Sequence, residues 1–210
     1  MITIPNILTL IRIAVIPVFV GVFYMPFPWA NALSASIFGL AALTDLLDGY
    51  LARRLGQTSR FGAFLDPVAD KLMVAVVLVF LLEVDPTPWL AVPVAVIIGR
   101  EIAISALREW MAEIGARAKV GVAWIGKIKT VVQMTALFLM LWGNSYFDLP
   151  IYKIGFTLLY VAAVLTLWSM VVYLRAAIPT LIGDEDHILD GSSLDSDPGV
   201  STIRCSDQRE

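Results

Sequence analysis

The sequence is short of charge, cysteine and histidine. Only 16% of its 210 residues are charged and 59% are hydrophobic, whereas a typical soluble domain is about 25% charged. The mean hydropathy is +0.81. This composition argues against a soluble domain and favours a protein that crosses a membrane several times. The single Cys205 excludes an internal disulfide, and the single His187 excludes a metal site built from several histidines.

Charge is distributed unevenly along the chain. Residues 184–210 contain eight acidic residues against two arginines, together with Gly, Ser and Pro. A segment of this composition cannot bury enough apolar surface to fold, so we predict a disordered cytoplasmic tail over residues 184–210. Residues 1–183 are predicted to form one domain, and no nucleic-acid partner is expected.

Long apolar runs predict an all-α membrane protein with six transmembrane helices. A run of about 20 residues is long enough to cross a hydrocarbon core of about 30 Å. Turns rich in proline or polar residues separate the runs, and Met1–Pro5 is predicted to be a short interfacial segment. The predicted spans are residues 8–27, 30–52, 62–82, 89–112, 122–142 and 152–174.

Basic residues predict how the spans are oriented. Most of them lie in the second and fourth connecting loops and the span ends beside these loops, whereas the other three loops hold only Lys153. Loops rich in Lys and Arg stay in the cytoplasm. Both termini and these two loops are therefore predicted to be cytoplasmic.

Four aspartates interrupt the second and third predicted spans. Asp45 and Asp48 are three residues apart, and Asp66 and Asp70 are four apart, so each pair shares one face of its helix. Ionisable residues inside a membrane span are costly and indicate a functional site. Both pairs lie toward the predicted cytoplasmic ends of their helices. Two antiparallel helices would present all four carboxylates to one cavity.

The four carboxylates predict a site for divalent cations. At close quarters they cannot all ionise without a counter-charge. A set of ligands made only of oxygen suits Mg²⁺, Mn²⁺ or Ca²⁺ rather than zinc. Two such ions about 3.5–4 Å apart are the usual arrangement for displacement at phosphorus, and Arg53 would be a phosphate partner.

Two other hypotheses explain intramembrane acids. The aspartates could form a cation relay in a small transporter, but a transporter would be expected to carry them near the midplane and often has an internal repeat. Here they cluster toward one face, and no repeat relates the two halves. Alternatively, each acid could pair with a basic neighbour such as Arg54 or Lys71 for structural reasons, which would not explain glycines at fixed offsets.

The motif that contains these aspartates resembles a known family signature. Asp45-x2-Asp48-Gly49-x2-Ala52-Arg53-x8-Gly62-x3-Asp66-x3-Asp70 is similar to the signature of the CDP-alcohol phosphatidyltransferase family, with every fixed position filled. The resemblance covers roughly residues 3–178. It implies a six-span homodimer in which an alcohol oxygen attacks the lipid-bearing phosphorus of a CDP-linked lipid and expels CMP.

The resemblance also implies roles for individual residues. Asp45, Asp48 and Asp66 would bind two ions of Mg²⁺ or Mn²⁺, and Asp70 would complete the metal site and deprotonate the acceptor alcohol. The cytidine diphosphate site would be lined by Gly49, Ala52, Arg53 and Gly62.

Three further segments narrow the resemblance. Residues 4–12, 99–110 and 124–130 are similar to bacterial family members of the cytoplasmic (inner) membrane that use CDP-diacylglycerol and sn-glycerol 3-phosphate to make phosphatidylglycerophosphate. The same chemistry with inositol phosphate, serine or phosphatidylglycerol as acceptor is the alternative. The active site would face the cytoplasm.

This narrower resemblance adds candidates whose roles stay open. Either headgroup-level anchoring or binding of the CDP-lipid would explain the polar residues of the first helix. The acceptor phosphate could be bound by several basic residues, although Arg100 could instead pair with Glu101 for packing. The lipid candidates are Asn6, Thr9 and Arg12, and the acceptor candidates are Arg100, Arg108, Arg117 and Lys127.

Overall fold

The computed structural model describes residues 4–55, 60–113, 123–143 and 150–191, which form six α-helices. For residues 4–6, 46–55, 112–113, 123–127 and 176–191, and for most of 60–66, it describes the backbone alone. The helices are α1 (Ile4–Phe23), α2 (Ala30–Leu55), α3 (Arg60–Val84), α4 (Pro88–Glu113), α5 (Ala123–Trp142) and α6 (Ile151–Gly191).

The prediction of six helices is confirmed for this part of the chain, because each apolar run coincides with one helix. Two helices contain a stretch long and apolar enough to cross a membrane, Pro88–Met111 in α4 and Ile151–Arg175 in α6. Shorter apolar stretches cover Ile7–Phe23 of α1 and Ile128–Trp142 of α5.

The structure differs from the prediction at both ends. Helix α1 begins at Ile4, so Pro5 lies in its first turn, where proline is well tolerated, and not in a separate interfacial segment. Helix α6 continues to Gly191, so the prediction of disorder is wrong for residues 184–191. A helix that is already formed adds one hydrogen bond for each further residue, which allows α6 to extend into the acidic segment. Residues 192–210 lie outside the described part of the chain.

The helices pack around one apolar core. Helix α1 packs against α2 and α3, α5 lies along α6 and also contacts α2, and α4 packs on α6. The close approach of α5 and α6 depends on Gly155, because a Cβ there would lie 2.9 Å from the carbonyl oxygen of Ala136. Small residues commonly permit such contacts between membrane helices. The largest fully buried apolar side chains are Phe19, Phe38, Leu78, Leu90, Ile97, Leu137 and Leu159.

Tyrosine side chains fix one end of the bundle. The Tyr24 hydroxyl donates to Glu83 (2.7 Å), the Tyr152 hydroxyl donates to Asp85 (2.6 Å), and the Tyr160 hydroxyl donates to the carbonyl of Trp89 (2.6 Å). These bonds tie the end of α1 and the start of α6 to the α3–α4 turn. On α3, the motif aspartate Asp70 precedes Glu83 by more than ten residues, which corresponds to about 20 Å along the helix axis. Asp45 and Asp70 therefore lie well away from this end, near the middle of α2 and α3.

Candidate active site

Arg12 connects two of the motif aspartates across three helices. Its Nη1 atom on α1 donates to Asp45 Oδ1 of α2 at 3.0 Å and to Asp70 Oδ1 of α3 at 2.6 Å. The two carboxylate oxygens share one nitrogen, so they cannot be further apart than the sum of these distances. The structure therefore brings together Asp45 and Asp70, which the sequence predicts to face one cavity.

The burial of these three side chains is unequal. The Arg12 side chain is 2% exposed, whereas those of Asp45 and Asp70 are 37% and 34% exposed. The arginine is thus sealed inside the bundle, while the carboxylates remain accessible from a cavity. A buried guanidinium provides a counter-charge to the two neighbouring carboxylates.

The carboxylates line a cavity of about 360 Å³ between α2, α3, α4 and α5. Cavities of about 300–1,000 Å³ are typical of sites for small molecules. On one side the cavity is bounded by Asp45, Asp70 and Lys71. The cavity is also lined by Glu101 of α4 and by Thr130, Gln133 and Met134 of α5.

A second polar network lies behind Glu101. Its Oε1 atom accepts hydrogen bonds from Lys129 Nζ at 2.6 Å and from Arg100 Nη1 at 2.9 Å. Arg100 Nη2 also donates to Ser169 Oγ of α6 at 2.8 Å. Two almost fully buried cations therefore share one carboxylate. The resulting excess of positive charge beside the cavity favours an anionic ligand.

Lys71 lies between the polar cavity and an apolar one. Its ammonium donates to Ser105 Oγ, which donates in turn to the carbonyl oxygen of Glu101. Lys71 and Glu101 also line a neighbouring cavity of about 460 Å³ between α3 and α4, whose other walls include Leu72 and Ile98. A polar compartment beside an apolar one suits a ligand with a charged headgroup and a hydrocarbon tail.

The remaining candidates from the sequence fall into three groups. Thr9 is fully buried one turn before Arg12, and Gly62 is buried on α3. Arg108 is exposed, donates to the Tyr173 hydroxyl at 2.8 Å and lies 5.0 Å from the centre of that ring. It is absent from the described lining of the 360 Å³ cavity. Arg117 lies outside the described residues, as do the side chains of Asn6, Asp48, Gly49, Ala52, Arg53, Asp66 and Lys127.

The donors that are described fit a hard divalent cation. No group of three or more His, Cys, Asp or Glu side chains gathers among the residues that the structure describes, but only two of the four predicted ligands belong to that part. Those two, Asp45 and Asp70, converge on a single nitrogen atom and offer carboxylate oxygens, which Mg²⁺ and Mn²⁺ prefer. The backbones of Asp48 and Asp66 lie on the same two helices, one turn away.

Sequence reasoning did not assign Gln133, Lys129 or Glu101 to the site. A usable signal was present, because Lys129 and Gln133 are four residues apart in an otherwise apolar helix and so share one face. Polar residues in that position commonly face the interior of a bundle. Their partners on other helices could not be inferred from spacing along one helix.

Comparison with known proteins gives a consistent result. Residues 2–168 match the family described as CDP-alcohol phosphatidyltransferase. A protein of Pectobacterium atrosepticum is 59% identical over 174 residues, which cover 83% of this chain and 94% of that protein. Proteins of Salmonella paratyphi A and Sodalis glossinidius are 56% and 59% identical with the same coverage. All three carry the name CDP-diacylglycerol–glycerol-3-phosphate 3-phosphatidyltransferase.

Proposed function

Because this chain belongs to the CDP-alcohol phosphatidyltransferase family, we propose that it transfers the phosphatidyl group of CDP-diacylglycerol to sn-glycerol 3-phosphate. The products are phosphatidylglycerophosphate and CMP, and the reaction serves phospholipid synthesis. The high identity to proteins named for this reaction, over nearly their whole length, supports this choice of acceptor over inositol phosphate, serine or phosphatidylglycerol. It also disfavours a transporter.

The observation that carries the proposal is the meeting of Asp45, Asp70 and Arg12 at the wall of the 360 Å³ cavity. Three helices each contribute one charged side chain to this cluster. Maintaining such a cluster inside a bundle costs stability, so it is expected where chemistry requires it. The excess positive charge near Glu101 suits the phosphate groups of both substrates.

Asp70 is the proposed general base. It accepts the proton of the acceptor's primary hydroxyl while that oxygen forms a bond to the lipid-bearing phosphorus. The bond between this phosphorus and the oxygen of the CMP phosphate breaks, and CMP leaves with the electron pair. Asp70 suits this role because about a third of its side chain is accessible, while Arg12 holds one of its oxygens in place.

Two divalent cations, Mg²⁺ or Mn²⁺, held by Asp45, Asp48, Asp66 and Asp70, would neutralise charge on the pyrophosphate and on the leaving CMP. The side chains of this chain perform the other tasks. Lys71 and the Lys129–Glu101–Arg100 network attract the acceptor phosphate electrostatically, in addition to the candidates Arg108, Arg117 and Lys127. Thr9 and Arg12, together with Asn6, Gly49, Ala52, Arg53 and Gly62, belong to the proposed CDP-lipid site.

We further propose six membrane spans in the bacterial inner membrane, with both termini and the active site on the cytoplasmic side. The described helices are at least 20 residues long, which corresponds to about 30 Å. Large apolar side chains such as Trp89 and Val164 are more than 60% exposed on the outer surface of the bundle, as expected where lipid surrounds it. The active assembly is proposed to be a homodimer.

A panel of acceptors tests the proposed function. The purified protein is incubated with CDP-diacylglycerol, Mg²⁺ and one acceptor at a time, and CMP release is measured. We expect release with sn-glycerol 3-phosphate and none above background with inositol phosphate, serine or phosphatidylglycerol. CMP release only with a different acceptor would show that glycerol 3-phosphate is not the substrate. Absence of CMP release by the folded protein with every acceptor would overturn the enzymatic assignment.

A further inference from the structure

Gln133 is a buried polar residue whose function the proposed mechanism does not explain. It lies on α5, one turn after Lys129, and is 5% exposed. Its Oε1 atom has no hydrogen-bond partner among the residues that the structure describes. Leaving a buried amide oxygen unpaired is unfavourable, and such groups in native structures usually have a partner. A ligand that donates a hydrogen bond would supply one.

The position of Gln133 directs it to the same cavity as the carboxylates. Gln133 lines the 360 Å³ cavity together with Asp45 and Asp70. The next residue, Met134, lines a second, small cavity together with Arg12, Asp45 and Asp70. This turn of α5 therefore faces the reacting groups across the cavity.

The cationic groups around the cavity are engaged elsewhere. Lys71 donates to Ser105, and Lys129 donates to Glu101. Arg12 is held between the two aspartates. None of these described contacts is with Gln133, so the missing donor is expected to come from the substrate.

A glycerol phosphate acceptor has three polar groups to be bound. In the proposed mechanism the primary hydroxyl lies at Asp70, and the phosphate lies toward the positive charge of Lys71 and Lys129. The remaining polar group is the secondary hydroxyl, which would donate a hydrogen bond to a residue of α5 at the cavity wall. We propose that Gln133 Oε1 accepts a hydrogen bond from this secondary hydroxyl and thereby determines acceptor specificity. This inference rests on the proposed function.

The test compares two acceptors that differ only in the secondary hydroxyl. The values of kcat/KM for sn-glycerol 3-phosphate and 3-hydroxypropyl phosphate are measured with the wild type and with Gln133→Met, which keeps a similar volume. We expect the wild type to prefer glycerol 3-phosphate by about 10- to 100-fold, because an analogue without the hydroxyl leaves the buried amide oxygen unpaired. In Gln133→Met this preference should fall to about one, through loss of activity with glycerol 3-phosphate alone.

Controls separate the possible failures. Thr157→Val also removes a polar group from an apolar helix, but the Thr157 hydroxyl already donates to the carbonyl of Lys153 at 2.9 Å, so the preference should not change. Gln133→Leu serves as a second variant, and thermal unfolding checks that each variant is folded. An unchanged preference in the variants, or equal loss with both acceptors, would overturn the inference.

The wild type alone also provides a decisive result. Equal activity with the two acceptors would overturn the role of Gln133 while leaving the transferase in place. Absence of CMP release with either acceptor would instead overturn the proposed function on which this inference rests.

Discussion

Arg12 is the residue that makes the carboxylate pair possible in the described structure. From the sequence, its role was open between headgroup-level anchoring and binding of the CDP-lipid. In the structure its guanidinium lies inside the bundle and donates to one oxygen of Asp45 and one of Asp70. Two carboxylates that would otherwise repel are thus held side by side by a single charge.

Replacing Arg12 should destabilise the protein in a manner that depends on metal. In Arg12→Met the two carboxylates lose their counter-charge. We expect a loss of about 1–3 kcal/mol in chelator, below the range for fully buried pairs because both acids are partly exposed. Added Mg²⁺ should restore more stability to Arg12→Met than to the wild type. Thermal unfolding in detergent with EDTA or MgCl₂ measures both effects, and an equal response to Mg²⁺ would contradict the account.

Replacing Asp70 should separate chemistry from folding. Asp70→Asn retains the shape of the side chain but cannot accept the acceptor proton. We expect the rate of CMP release to fall by about 10²- to 10⁴-fold, the usual contribution of a general base. Binding of CDP, followed by calorimetry, should persist in the folded variant.

Glu83→Gln is the matched control for Asp70→Asn. Glu83 is also a carboxylate of α3, but it accepts from Tyr24 at the far end of the bundle. Its change to an amide should leave the rate within about two-fold of the wild type. Substantial activity in Asp70→Asn would remove Asp70 from the role of base.

The sequence predicted part of the site and missed another part for a physical reason. Spacing along one helix shows which residues share a face, so the two aspartate pairs could be proposed from sequence. The contacts of Arg12 join residues 33 and 58 positions apart, and they depend on how three helices rotate about their axes. The spacing of Gln133 from Lys129 was visible in the sequence, but the lack of a described partner for its Oε1 atom is visible only in the structure.

At the scale of single elements, the apolar runs predicted the helices well. Both ends of α2 lie within three residues of the predicted span, because proline and polar residues mark the turns on either side. The C-terminal end of α6 was mispredicted, since composition alone does not report how far an established helix propagates. The start of α1 was mispredicted because Pro5 is compatible with a first helical turn as well as with an extended lead-in.

Gly155 provides a test of how closely α5 and α6 pack. An alanine Cβ would lie 2.9 Å from the Ala136 carbonyl oxygen and 2.8 Å from the Met140 side chain. Because relieving this contact requires the backbone of α5 to move, we expect Gly155→Ala to lower the free energy of unfolding by about 1–3 kcal/mol. Gly21→Ala is the control, since nothing lies within 4 Å of its Cβ. Unfolding in detergent measures both, and equal stability of the two variants would show that the helices are less tightly packed.

At the scale of the whole molecule, one end of the bundle differs in chemistry from its middle. The tyrosine bonds to Glu83, Asp85 and Trp89 close one end, while the charged cavity lies about halfway along α2 to α5. The neighbouring apolar cavity between α3 and α4 adjoins the charged one. This arrangement suits a lipid whose acyl chains stay in the bilayer while its headgroup reacts in the charged cavity.

The proposed orientation predicts which residues react with a reagent that cannot cross the membrane. The native Cys205 is proposed to be cytoplasmic. Thr87 lies in the turn between α3 and α4, which is proposed to face the other side of the membrane. In spheroplasts we expect an impermeant maleimide to label Thr87→Cys in a Cys205→Ser background and to leave the wild type unlabelled until the membrane is permeabilised. Labelling of Cys205 in intact spheroplasts would reverse the orientation.

The central claim is that an acceptor oxygen attacks the lipid-bearing phosphorus at this site. The most direct measurement uses sn-glycerol 3-phosphate labelled with ¹⁸O in its primary hydroxyl, together with CDP-diacylglycerol, Mg²⁺ and the purified protein. Mass spectrometry of the products should find the label in phosphatidylglycerophosphate and unlabelled CMP in equal amount. Label in CMP, or CMP formed without a labelled lipid product, would contradict the account.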